Sequence, residues 1–233
     1  RGSAISRVVV GRPSNERTGA VARFARDRGI EVVFRPMAEL DREARGGKHQ
    51  GVLALAPPLD VGDLEALRAL ARAPDALTLL LDGVTDPQNF GAVVRSAVAL
   101  GASGVAWAEH GAAPLTPATF RASAGAIEHA RLFRIHSILD GVRTLQEDGV
   151  TTIALDAHGS VELEALEVSG PVALVLGAED RGPRPAVRRA CEHIARLPMR
   201  GPLDSLNASV AGALAVREVV RKREQLQSHT VQS

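Results

Sequence analysis

The chain has 233 residues, 45% hydrophobic and 24% charged, with a formal net charge of +1. This is the composition of a folded soluble protein, and its single Cys excludes an internal disulfide framework and points to a reducing, cytoplasmic setting. No apolar run approaches the ~20 residues of a membrane helix, and no signal-peptide pattern opens the stretch.

The chain starts at Arg1 rather than an initiator Met, so a trimmed N-terminus is expected. Residues 6–11 (SRVVVG) read as a strand, and 15–29 as a helix with an Asn cap and a Gly stop. Residues 30–36 (IEVVFRP) and 49–58 (HQGVLALAPP) read as two further strands, completing a small α/β unit over 1–56. Residues 57–76 hold a Pro pair, a short helical stretch and another Pro, and read as a linker.

From residue 77 the alternation lengthens. LTLLLDGV (77–84), GVAWAEH (104–110), TTIALDA (151–157) and PVALVLGAED (171–180) read as apolar strands. Helices are expected over 137–149, 184–193 and 205–225, with a short strand over 194–199 and a tail over 228–233. Buried-type strands alternating with helices predict a mostly parallel sheet covered on both faces.

Three loops follow strand ends, where open α/β sheets place their ligands. The first opens DPQNFGAVVRSAVALG (86–101), with Asp86 as cap and Pro87 in the first turn. Helical spacing puts Phe90, Val93, Val94, Ala97 and Val98 on one apolar stripe. Arg95 shares another face with the small residues Gly91, Ala92, Ala99 and Ala102, which invites close approach by a backbone or a ligand. Spacing alone favours an Arg that snorkels to solvent. The second loop, LVLGAEDRGP (174–183), turns at Gly177 and carries Glu179. The third, LPMRGPLDSLNASVAGALAV (197–216), has Ser205 as a candidate cap, while Asn207 and Ser209 are unusual in a first turn.

Other chemistries lack their patterns. The seven His and one Cys show no metal-ligand spacing, Cys191 reads as a buried structural thiol, and no Gly-x-Ser-x-Gly, P-loop or dinucleotide fingerprint is present.

The three loops together resemble the three ordered motifs of the SpoU (TrmH) family of RNA ribose 2′-O-methyltransferases, in the SPOUT superfamily. The matching stretches are DGVTDPQNFGAVVRSA, LVLGAEDRG and LPMRGPLDSLNASVAGALAV. The first fifty-odd residues resemble the L30e-like RNA-binding domain of the RlmB type, lacking its first strand or helix, with HQGVLALAPP as its end. The resemblance implies a SPOUT-type α/β fold over 77–227 with a deep C-terminal trefoil knot, an exception to the rule against knots. It also implies a homodimer, S-adenosyl-L-methionine as cofactor, and a guanosine of 23S rRNA as target. Gly177, Leu197 and Leu206 would line the cofactor, with Leu155, Met199 and Ala208 as further contacts. Asn89, Arg95, Glu179, Ser205 and Asn207 would form the catalytic surround. Ala208 and Asp180 depart from the usual Val and Gly of the family pattern.

The family casts Arg95 as activator of the ribose hydroxyl. A guanidinium with a pKa above about 12 suits better a fork on the neighbouring phosphate and the developing alkoxide. Arg12, Arg17 and Arg23 are candidate RNA contacts of the N-terminal unit, or else a solvated helix face. A tRNA or antibiotic-resistance rRNA methylase of the same family, and a non-catalytic RNA-binding protein keeping the fold, are the alternatives. No membrane or metal partner is expected.

Overall fold

The computed structural model describes residues 5–44, 46–110, 115–202 and 205–230. The chain divides into two compact units, Arg1–Leu59 and Asp60–Ser233.

In the first unit β1 (Arg7–Arg12) is the central strand, parallel to β2 (Glu31–Pro36) and antiparallel to β3 (Val52–Leu55). Helix α1 (Glu16–Arg26) crosses between β1 and β2. Its cap is reciprocal: Thr18 N–H donates to Asn15 Oδ1 at 2.9 Å, and Asn15 N–H donates to Thr18 Oγ1 at 3.0 Å. Ala22 and Ala25 bring it down on Val8 and Val10, the core of this unit. A helix that the periodicity does not predict, α2 (Met37–Glu43), follows β2 directly and buries Leu40. Its seven residues carry too little pattern to register.

In the second unit eight parallel strands form one sheet in the order β4-β7-β6-β5-β10-β8-β11-β9. The strands are β4 (Val61–Gly62), β5 (Leu77–Asp82), β6 (Gly104–Ala108), β7 (Leu132–Ile135), β8 (Thr151–Leu155), β9 (Val161–Glu162), β10 (Val172–Gly177) and β11 (His193–Arg196). All residues of β5, β6 and β10 are buried, as expected for parallel strands covered on both faces. The helices are α3 (Leu64–Ala71), α4 (Pro87–Ala99), α5 (Pro117–Ala122), α6 (Ile138–Glu147), α7 (Pro185–Ala190) and α8 (Ala208–Thr230).

Several expectations need correction. The stretch expected as a linker carries β4, which extends the sheet beside β7, and α3, whose Leu67 and Ala71 are fully buried. Asp63 caps α3, accepting from Ala66 N–H at 2.9 Å. Arg68 and Arg72 pair with Asp148 just past α6, fastening α3 to the body. The prolines at 57, 58 and 74 flank an integrated helix rather than mark a free connector. Helix α8 begins at Ala208, not Ser205, and runs on through Thr230 into the expected tail; residues 231–233 lie outside the described set. Strand β7 and helix α5 are additional short elements.

Helix α5 explains the small-residue face of α4. A Cβ on Gly91 would lie 2.5 Å from Thr119 O and 2.7 Å from Ala122 Cβ, so α5 packs there backbone to backbone. That face therefore serves an internal contact at Gly91. On the opposite stripe Phe90 meets Trp107 of β6 edge to face at 5.2 Å, fixing α4 on the sheet.

Candidate active site

The chain runs from β5 outward to β6 and β7, then returns to build β8, β10 and β11 on the other side. The reversal lies between β5 and β10, whose ends are level: Asp82 pairs in register with Gly177. A crevice beyond such a switch point is where this kind of sheet binds ligands.

A cavity of about 380 Å³ opens there. One wall is Leu155 at the end of β8 with residues 156–158 after it, and a second is Leu176 and Gly177 at the end of β10 with residues 178–182 after it. Leu197 and Met199 after β11 form a third, and Ser205, Leu206, Ala208 and Ala211 at the start of α8 close it. Its volume lies within the ~300–1,000 Å³ range of small-molecule sites. All six residues expected to contact the cofactor line it: Leu155, Gly177, Leu197, Met199, Leu206 and Ala208.

The loop after β10 explains why Gly177 must be Gly. It doubles back with a bridge between Ala178 and Gly182, and Gly182 N–H donates to Ala178 O at 2.9 Å. A Cβ on Gly177 would sit 1.8 Å from Gly182 C and 2.0 Å from Pro183 N. Any side chain there collides with the returning backbone.

At the cavity lip the three motifs meet through side chains. Glu179 accepts from Asn89 Nδ2 at 2.9 Å and also, closely, from Asn207 Nδ2. Asn207 Nδ2 is 3.1 Å from Asn89 Oδ1 as well. Asn207 Oδ1 in turn accepts from Ser209 N–H at 2.9 Å and Ser209 Oγ at 2.5 Å, so its amide nitrogen faces Glu179. Asn207 is thus the cap of α8, and Ser205 is not: Ser205 is exposed at the cavity wall. Ser209 turns inward to Asn207 instead of outward to a ligand.

Arg95 stands apart from this network. It is exposed on α4, with no hydrogen-bond or ion-pair partner among the described residues. The sequence offered two readings, a snorkelling Arg and a ligand-facing one; the structure leaves its guanidinium free for a ligand outside the chain. Cys191 is buried, and burial with the neighbouring Asp82 charge pushes its thiol up to about 12, which removes it as a nucleophile.

Sequence reasoning missed the polar end of the cavity. Asp156 and Arg188 line it, with Arg188 Nη1 2.6 Å from Asp156 Oδ2 and His158 N–H donating to Asp156 Oδ1 at 2.8 Å. Burial opposes ionisation of Asp156, but the guanidinium and the backbone donor outweigh it and hold the carboxyl below its ordinary value. An Asp ending a strand carries no local mark of this role, because α7 delivers Arg188 from 32 residues away.

In the N-terminal unit the candidate RNA contacts differ from one another. Arg12 lies over the Phe34 ring at 5.4 Å, and Arg26, which the sequence did not single out, lies over the same ring at 5.5 Å. Arg17 and Arg23 are exposed on α1 without ion-pair partners among the described residues. Among the described residues no helix is long and apolar enough to cross a membrane, and no group of three or more His, Cys, Asp or Glu is placed to hold a metal.

Comparison with known proteins agrees with both units. The model of the SpoU rRNA Methylase family matches residues 76–217, and that for RNA 2′-O ribose methyltransferase substrate binding matches residues 1–61. A protein of Mycobacterium sp. (strain KMS), named an uncharacterized tRNA/rRNA methyltransferase, is 36% identical over 218 residues, covering 93% of this chain and 69% of the relative. The SpoU methyltransferase AviRb from Streptomyces viridochromogenes, solved in complex with AdoMet, is 26% identical with a TM-score of 0.74, covering 95% of this chain and 84% of that one. An AdoMet-bound rRNA methyltransferase from Sinorhizobium meliloti is 27% identical with a TM-score of 0.74, covering 94% and 80%. The chain belongs to the SpoU rRNA methylase family and is an RNA methyltransferase with that family's α/β fold.

Proposed function

We propose that the chain methylates the ribose 2′-oxygen of a guanosine in 23S rRNA, using S-adenosyl-L-methionine held in the cavity at the β5–β10 switch point. The observation that carries this reading is the junction of Asn89, Glu179 and Asn207 at the lip of a cavity of suitable size. The cavity fits such a cofactor in chemistry: its leucine, methionine and alanine walls suit a purine, and its Asp156–Arg188 end suits polar groups. Two similar proteins solved with AdoMet support the same assignment. When bound, S-adenosylmethionine supplies an already activated methyl group, so the protein's task is orientation and charge.

Asn89 and Asn207 hold the Glu179 carboxylate in a fixed position, where its charge complements a sulfonium. Arg95, free of partners, grips the phosphate beside the target ribose and stabilises alkoxide charge as the 2′-hydroxyl loses its proton. Ser205 shapes the wall between cofactor and RNA. Arg12, Arg17 and Arg23, joined by Arg26, dock RNA phosphates on the N-terminal unit. Val210 and Leu214, exposed four residues apart on α8, suit burial against a second copy in a homodimer. The trefoil knot and a cytoplasmic site of action belong to the same reading.

The test is methyl transfer from labelled S-adenosylmethionine to transcripts of 23S rRNA, 16S rRNA and tRNA, followed by mapping of 2′-O-methyl positions. A single modified guanosine in 23S rRNA supports the reading. Label confined to tRNA, which relatives named tRNA/rRNA methyltransferases leave open, replaces the target. No transfer to any RNA overturns it.

A further inference from the structure

We infer that Asp82 and Arg184 form a clamp that positions the Glu179 loop and the cavity wall, making both positioning residues for the reaction. This rests on the reading of the cavity given above. Asp82 ends β5, a strand otherwise built of Leu and Thr, and its side chain is fully buried. A buried carboxylate persists only where its oxygens are satisfied. Here one residue satisfies both. Arg184 N–H donates to Oδ2 at 2.7 Å, while Arg184 Nε and Nη2 reach Oδ1 at 2.8 and 2.6 Å. The Arg184 side chain is 61% exposed, so the burial cost falls on Asp82 alone. The carboxylate in turn raises the affinity of the Arg184 guanidinium for its proton.

The placement is what gives the pair a role. The loop leaves the sheet at Gly177, the register partner of Asp82, and its far end returns to Asp82 through Arg184. Both ends are fastened at one residue. Between them lie Glu179, which accepts from Asn89 and Asn207, and residues 178–182, which wall the cavity. Asp82 also ends the strand from which the chain passes to α4 and Asn89. It therefore ties the first motif to the second from beneath, without touching the cavity.

A pair that serves stability alone behaves differently from one that positions a loop. Removing one partner of a buried ion pair destabilises, whereas replacing both by apolar groups commonly restores stability. The experiment compares full-length wild type, Arg184→Met, Arg184→Lys and the double variant Asp82→Val/Arg184→Met. Thermal unfolding, hydrogen exchange of loop 178–183, S-adenosylmethionine affinity by calorimetry, and kcat and KM for the 23S transcript are measured. Arg184→Met is expected to lower the unfolding temperature and the double variant to recover most of that loss. In the double variant the loop amides should still exchange about tenfold faster, with cofactor affinity and kcat each down about tenfold and RNA KM within twofold. Arg184→Lys keeps the charge but loses the fork, so it should fold normally and show a several-fold loss in the same two quantities. Recovery of loop protection, affinity and kcat together with stability in the double variant overturns the inference. So does an Arg184→Lys protein indistinguishable from wild type, should the double variant fail to fold. A wild-type protein that binds no S-adenosylmethionine overturns the proposed function instead, and loop exchange then still decides the clamp.

Discussion

The two ends of helix α8 do different work with different residue types. At its start, exposed Asn207 and half-buried Ser209 bond side chain to side chain, holding Glu179 at the cavity lip. Towards its end, Lys222 and Arg223 bond to main-chain carbonyls. Lys222 Nζ reaches Glu164 O and Leu166 O, both at 2.6 Å. Arg223 reaches Asp75 O at 2.6 Å, Ala76 O at 3.1 Å and Gly170 O at 2.7 Å, at the entries to β5 and β10. Burial pushes the Arg223 guanidinium down from its usual value, yet three carbonyls keep it in place. One helix thus staples the strand entries with long cations and dresses the strand exits with short amides. Exposed hydrogen bonds contribute only about 1 kcal/mol each, so the first set orders geometry while the second holds the fold.

That division can be broken by substitution. The largest effect is expected at Gly177→Ala, where the added methyl meets the Gly182–Pro183 backbone. The loop must be rebuilt, so calorimetry should detect no cofactor binding, with a stability loss of about 3 kcal/mol or more in denaturant melts. Arg223→Met removes the staple and should cost about 2 kcal/mol of stability, leaving kcat at 25 °C unchanged. Asn207→Ala does the reverse. It should cost only about 1 kcal/mol as a lost cap, while kcat falls by about tenfold or more. The smallest effect concerns pH. Asp148 is held well below the usual carboxylate range by hydrogen bonds from Arg68 and Arg72. Its folded pKa lies under its unfolded one, so its contribution is present above the unfolded value and is lost as pH falls through the folded one. Asp148→Asn should therefore flatten the acid limb of stability and leave the melt at neutral pH little shifted beyond the loss of that contribution, as urea titrations between pH 2 and pH 7 would report.

Much of the larger unit was legible because its strands are long, mostly apolar and wholly buried, as at β5 and β10, and because helices such as α4 and α6 carry a side-chain cap at their entry. Short elements were not. Helix α2 buries a single Leu, and β7 is four residues whose partner lies next to it only in space. Residues 57–76 misled because prolines are local signals, whereas the burial of Leu67 and Ala71 depends on β6, β7 and α6, which come much later in the chain. In the site, the three motifs were visible as strand-end loops, and the cofactor contacts came with the resemblance. Ser205 was preferred to Asn207 as cap because both are good caps and only the helix start separates them. Asp82 reads in the sequence as an ordinary strand end, and Asp156 carries no mark of its own, until Arg184 or Arg188 arrives from far along the chain.

In the proposed function the cavity holds the cofactor while Arg95, unpartnered outside it, serves the RNA. The direct measurement is S-adenosylmethionine affinity and 23S methyl-transfer turnover for wild type and Arg95→Lys side by side. For Arg95→Lys the expected result is a dissociation constant within about twofold of wild type and a kcat lower by about tenfold to a hundredfold, since Lys keeps the charge but not the fork. Full turnover by Arg95→Lys, or a loss of cofactor binding as large as the loss of turnover, would contradict it.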